Sequence, residues 1–320
     1  MSTVTHQVPA PAQRGGVLDV VRRRPLTAFV VLALAASWLA WIPLILSPYG
    51  LGLWDIQVPG GTGGYQLFLM LPGAYLGPIG AALFVTAVTD GRAGVRAWVK
   101  RLFKFKVNWR WYAGIFLGTP AAVLLSSYLF SAGDVQAPPM ENLIKYLPVI
   151  LMQMVTTGLA EEPGWRDFAL PRAQRQVGPL RAAVGIGVLW GVWHLPLYMT
   201  MWGDAPTFHL MRAVGFIAFC VTFNVVMTWV FNRTGQSLPM AMLLHVGINT
   251  TVGLFVASMF PVVGASYDLT NQALLLMAAV GAVITIAATR GRLGYRPEPV
   301  QPGLAGDLGT SRPLVAAHSA

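Results

Sequence analysis

Long apolar runs dominate the chain. Eight stretches, about 25–46, 65–89, 111–131, 146–170, 182–199, 208–231, 236–260 and 271–289, are apolar for long enough to cross a bilayer as α-helices, which takes roughly 20 residues each. The pattern predicts an all-α, polytopic membrane protein with about eight transmembrane helices in one bundle. The first run contains Ala33-Leu34-Ala35 after Arg22-Arg23-Arg24, which resembles a signal-peptidase site. It continues apolar to Leu46, too long for the hydrophobic region of a signal peptide, and is expected to stay as an anchor.

Composition supports the class. Of 320 residues, 55% are hydrophobic and 11% charged, against about 25% charged in soluble domains. The formal charge of +10 would suit a nucleic-acid partner in a soluble chain. Here the basic residues fall in alternate loops: Arg22 to Arg24, Arg92 to Arg110, Arg172 to Arg181, Arg233, and Arg290 onward. The positive-inside rule then puts both termini in the cytoplasm of a multi-pass cell-membrane protein. No zinc-finger spacing or basic aromatic repeat supports nucleic-acid binding. The stretch from Gly91 to Lys106, containing VRAWVKRLFKFK, is predicted to be an interfacial amphipathic helix. Residues 1–24 and 290–320 read as disordered tails, 25–142 as N-terminal transmembrane helices and 143–289 as a helical core that carries the chemistry. The lone cysteine, Cys220, forms no internal disulfide and is expected to be a small buried filler.

Ionisable residues inside spans cost about 2.5–3.5 kcal/mol each by insertion scales and so point to function. Glu161 and Glu162 lie in the fourth span, His194 in the fifth, His245 and Asn249 in the seventh. Counted from the nearest basic flank at 1.5 Å per residue, Glu161, His194 and His245 sit roughly 16, 20 and 18 Å deep. Three helices thus bring titratable groups to about one level. His245 and Asn249 share a helix face, as do Trp190 and His194, whereas adjacent Glu161 and Glu162 diverge by about 100°. Glu162 is expected to pair with Arg166 one turn on, leaving Glu161 for a shared cavity. Pro163 predicts a kink at Glu162 with a new helix after it, and Pro196 a bend just past His194. Trp38, Trp41, Trp111, Trp193 and Trp202 read as interface or lipid-facing residues. Asn224 and Arg212 read as interhelical polar contacts.

A carboxylate, two imidazoles and an amide form a hydrolytic set: a desolvated Glu can serve as general base and acid, and imidazole and amide donors can hold an oxyanion. The same Glu161, His194 and His245 could instead be three ligands of a divalent metal such as zinc. The chain has no HExxH, GxSxG or paired-aspartate motif.

EEPGWR (Glu161 to Arg166) resembles the EExxxR motif of the CPBP family, which comprises CAAX-processing endoproteases and bacteriocin-processing or immunity proteins. WGVWHLPLY resembles its second motif, an aromatic four residues before a His. HVGIN (His245 to Asn249) resembles its third, HxxxN. The motifs fall in order across roughly residues 143 to 255. The resemblance implies an intramembrane endopeptidase. It implies that Glu161 activates water, His194 helps bind water or a metal, and His245 and Asn249 stabilise the oxyanion. Glu162 and Arg166 match supporting positions. Two departures stand out. Trp190 replaces the more common Phe, with little change expected, and Pro163 and Asp167 stand where an aliphatic residue and Gly are common.

The expected activity is hydrolysis of a peptide bond in a membrane-associated peptide or lipidated protein near the cytoplasmic side. The expected partners are that substrate and membrane lipid, with no nucleic acid. The alternatives are a proton-coupled transporter using the buried acid and histidines as a relay, and a non-catalytic immunity or scaffold protein of the same fold.

Overall fold

The computed structural model describes residues 16–297. Among these residues there is no strand. Eight helices are long and apolar enough to cross a membrane: Pro25–Leu46, Tyr65–Arg101, Trp109–Leu129, Met140–Val177, Pro179–Met199, Leu210–Arg233, Leu238–Met259 and Tyr267–Thr289. They are numbered here as the first to eighth spans. Helix is the form these runs take because the hydrocarbon core offers no partner to backbone amides, so each segment must bond internally.

Residues 1–15 and 298–320, within the expected tails, lie outside the described residues. The remainder of the N-terminal assignment is corrected: Val17–Arg23 is a helix, not a tail. Asp19 Oδ2 accepts from the Gly16 amide at 3.1 Å, Val21 is buried, and Arg22 Nε donates to the Val88 carbonyl at 3.3 Å. Capping and docking on the second span supply what the composition of the stretch lacks.

The second span passes Gly91 without ending, but Gly91 adopts φ 63 and ψ −160. That conformation suits glycine, and it divides the helix at the expected start of the interfacial segment. The segment is helical only to Arg101, short of the expected Lys106. Beyond it, Lys104 Nζ donates to the Gly235 carbonyl, and Ser237 Oγ donates to the Lys104 carbonyl at 2.7 Å. Tertiary bonds to the connection between the sixth and seventh spans replace the next helical turn.

The fourth span runs from Met140 to Val177 without the expected break at Glu162, which is helical at φ −65 and ψ −33. Pro163 instead opens a wide π-helical turn, Pro163–Ala169. In a regular α-helix a proline ring strikes the carbonyl four residues back; widening the turn relieves that clash without a kink. A second wide turn, Met154–Gly158, lies on the other side, so Glu161 and Glu162 occupy a short α-helical turn between two π turns. Gly164 sits where the fourth span crosses the second: a Cβ there would stand 2.5 Å from the Pro78 carbonyl oxygen. Past His194 the chain does bend, the α-helix ending at Trp193 and tightening into a 3₁₀ turn, Leu195–Met199.

The seventh span is the centre of the bundle. From Leu238 to Thr251 every residue is buried except Asn249. Two of the polar groups of interest, His245 and Asn249, are therefore carried on the most enclosed helix.

Candidate active site

Glu161, His194, His245 and Asn249 line one cavity of about 160 Å³, with Trp41, Ala74, Thr156 and Trp193 among the other walls. The fourth, fifth and seventh spans thus converge as their shared depth predicts. Glu161 is 6% exposed, His194 8% and His245 5%, so what water reaches them is confined.

Trp190 organises the acid. Its indole Nε1–H donates to Glu161 Oε2 at 2.7 Å. Its backbone carbonyl receives a hydrogen bond from His194 Nδ1 at 2.8 Å. A carbonyl only accepts, so Nδ1 carries the proton, and in the neutral ring Nε2 is an acceptor. That Nε2 stands 4.0 Å from Glu161 Oε2, a gap suited to a bridging water rather than to a direct bond. Reading Trp190 as an apolar equivalent of Phe is therefore corrected: a phenyl ring fills the space but has no N–H for Glu161.

Glu162 faces away from Glu161, as adjacent helical residues must. Its Oε2 lies 3.1 Å from Arg166 Nε, with both side chains fully buried. Neither atom completes an aligned hydrogen bond, so charge rather than bond geometry holds the pair. Arg166 also lies 5.0 Å above the Trp190 ring and reaches Met227 Sδ with Nη2 at 3.1 Å. The relationship that sequence reasoning missed is on the other oxygen: Glu162 Oε1 accepts from His245 Nδ1 at 2.8 Å. No spacing rule links residues 83 positions apart; the signal was only that both were buried and ionisable. His245 Nε2 is left without a partner among the described residues.

Asp167 was also missed as a structural residue. Its carboxylate is nearly buried, and Arg101 Nε contacts both oxygens, at 2.7 and 3.0 Å. This pair ties the end of the interfacial segment to the helix that bears the acids.

The tryptophans correct another expectation. Trp41 and Trp193 are buried against the cavity rather than facing lipid. Each indole finds an internal acceptor: Trp41 Nε1 donates to the Met70 carbonyl at 2.7 Å and Trp193 Nε1 to Ser37 Oγ at 2.6 Å. A satisfied N–H removes the reason for an indole to seek the interface. Asn224 donates to the Ala183 carbonyl, Arg212 joins Asp204 and Asp268, and Cys220 is a buried free thiol, all as interhelical or filling roles require.

Glu161, His194 and His245, which could ligate a divalent metal such as zinc, share this cavity but are not drawn together around one point. Among the described residues no three His, Cys, Asp or Glu side chains are disposed to hold one metal ion. Both Nδ1 atoms and Glu161 Oε2 are committed to protein partners, which leaves the two Nε2 atoms and Glu161 Oε1 as the atoms that would face a water or a metal.

Comparison with known proteins agrees with this segment's character. Residues 143–251 match the family model described as type II CAAX prenyl endopeptidase, Rce1-like. The chain is 23% identical over 204 residues to CAAX prenyl protease 2 of Methanococcus maripaludis, a match that covers 58% of this chain and 72% of the relative. The matched segment holds all seven site residues, from Glu161 to Asn249.

Proposed function

We propose, for this chain of the CPBP family of intramembrane proteases, that the endopeptidase reaction runs on its own side chains, with Glu161 as the base. The chain is a multi-pass membrane protease, and the family implies a membrane-associated protein or peptide as substrate. The observation that carries the finer reading is the shared cavity of Glu161, His194, His245 and Asn249.

An attacking water placed in the 4.0 Å gap gives one hydrogen to Glu161 and one to His194 Nε2. Its lone pair is then free for a carbonyl carbon. Glu161 takes the proton as the carbon–oxygen bond forms and delivers it to the departing amine nitrogen, the usual reciprocal use of one group as base and acid. The oxyanion forms opposite His245 and Asn249, one helical turn apart on the seventh span. With Nδ1–H given to Glu162, His245 presents an N–H from Nε2 only as the doubly protonated ring, and the Glu161 and Glu162 carboxylates together then balance it and Arg166. Donors held rigidly before charge develops cost no reorganisation during reaction. The basic loops support a cytoplasmic position for both termini, and with it a cut near the cytoplasmic side.

The test is cleavage of a membrane-anchored reporter peptide by purified protein in liposomes. Glu161→Gln keeps the shape and loses the base, so kcat should fall by at least about 10². Unchanged turnover by a folded Glu161→Gln protein, or loss of a proton flux in place of a cut, ends this reading.

A further inference from the structure

A second cavity, of about 580 Å³, opens between the third, sixth, seventh and eighth spans. Its walls are apolar, including Trp111, Ile115, Phe223, Val226, Trp229 and Ile248. Along the third span it extends from Asn108 to Ala122, roughly 20 Å at helical rise. That length covers a large part of a hydrocarbon core about 30 Å thick. It is separate from the catalytic cavity: Phe223 forms part of its wall and packs against Trp190 at 6.3 Å between ring centroids.

The groove has a charged end. Asn108 and Arg110 stand at its basic-loop mouth. On the sixth span the lining continues from Val226 through Val230, and the next residue on that stripe is Arg233, about one turn further. Arg233 belongs to a polar pocket of about 480 Å³ with Lys104, Asn232, Gln236 and Arg296. Three cations from three segments of the chain meet there, with no carboxylate among the lining residues. Arg233 and Arg296 form no ion pair among the described residues. Phe103 and Phe105, which flank Lys104, are 70% and 49% exposed, the aromatic arrangement found at a headgroup boundary.

We infer that groove and pocket together form a binding site for one anionic phospholipid, its phosphate among Lys104, Arg233 and Arg296 and one acyl chain along the third and sixth spans. An apolar trough would hold any hydrocarbon chain; Arg233 and Arg296, without an acidic partner among the described residues, select an anionic headgroup at one end. The site shares no lining residue with the catalytic cavity, so lipid retention is read independently of cleavage.

The experiment is native mass spectrometry of the purified full chain in detergent, titrated with phosphatidylglycerol or with phosphatidylcholine of the same acyl chains. One phosphatidylglycerol should be retained per chain, at least tenfold more tightly than phosphatidylcholine. Arg233→Ala with Arg296→Ala should weaken retention about fivefold for each cation removed, and the Arg233→Lys, Arg296→Lys pair should keep it. Gly118→Leu should weaken both lipids, because a Cβ at Gly118 meets nothing within 4 Å and a longer side chain enters the groove. Equal retention of the two lipids, or the same retention in the Ala pair, overturns the proposal. So does full displacement by inorganic phosphate, which would reveal an anion site with no use for the chain.

Discussion

Glu162 Oε1 accepts from His245 Nδ1 at 2.8 Å while Glu162 Oε2 stands 3.1 Å from Arg166 Nε. One fully buried carboxylate thus spans two helices and neutralises a cation that has no access to water. Removing one member of such a pair leaves an uncompensated buried charge, at a cost of about 3–5 kcal/mol. Glu162→Gln should therefore lower thermal stability markedly and, by releasing His245, reduce cleavage as well. Adding Arg166→Met to Glu162→Gln should recover much of the stability but not the activity. A thermal melt and a reporter assay on the single and double variants check both halves; recovery of activity with stability would show that Glu162 only balances Arg166.

Trp190→Phe isolates one hydrogen bond. The phenyl ring retains most of the packing, but the 2.7 Å bond to Glu161 Oε2 disappears. A hydrogen bond to a charged group is worth roughly 1.5–3 kcal/mol, so kcat should fall about ten- to a hundredfold with KM little altered. Steady-state kinetics separate the two constants. An unchanged kcat would mean that the indole N–H does not hold the catalytic acid.

Gly164→Ala addresses the crossing of the second and fourth spans. The added Cβ would meet the Pro78 carbonyl oxygen at 2.5 Å and its carbon at 2.6 Å. Both are backbone atoms, so relief requires the helices to separate. Overpacking of this kind costs about 1–3 kcal/mol. Because Glu161 and Glu162 lie three and two residues away, activity should decline alongside the melting temperature. A melt at the wild-type value would show that the crossing is looser than the geometry states.

Chelation bears on the chemistry of the base. With side chains alone carrying the reaction, treatment with a strong chelator should leave the cleavage rate within about twofold of the starting value, a change of barrier under about 0.5 kcal/mol. Elemental analysis of the active protein should find zinc well below one per chain. Loss of activity on chelation with recovery on adding zinc would overturn the side-chain mechanism and assign the activation of water to a metal held by this cavity.

Much of this architecture is legible in the sequence. Span number, the approximate ends of each span and the convergence of Glu161, His194 and His245 on one level follow from counting, because helical rise is fixed and charge is costly in hydrocarbon. The facing of Glu161 and Glu162 to different partners follows from the helical period alone. By contrast, the helix at Val17–Arg23 and the early end of the interfacial helix at Arg101 depend on docking and on bonds from Lys104 and Ser237 to distant segments.

The apolar runs and the placement of a few polar residues within them determined the fold class, the depth of the site and which helices would meet. Tertiary structure decided what each polar atom bonds to. Glu162 reaches His245 across 83 residues, Trp190 serves Glu161 as a donor, Pro163 is absorbed by a π turn, and Trp41 and Trp193 turn inward. The reason is the range of the forces. Burial and helical period act along the chain and are written in local pattern. Hydrogen bonds act over about 3 Å, so their partners exist only once the helices have packed.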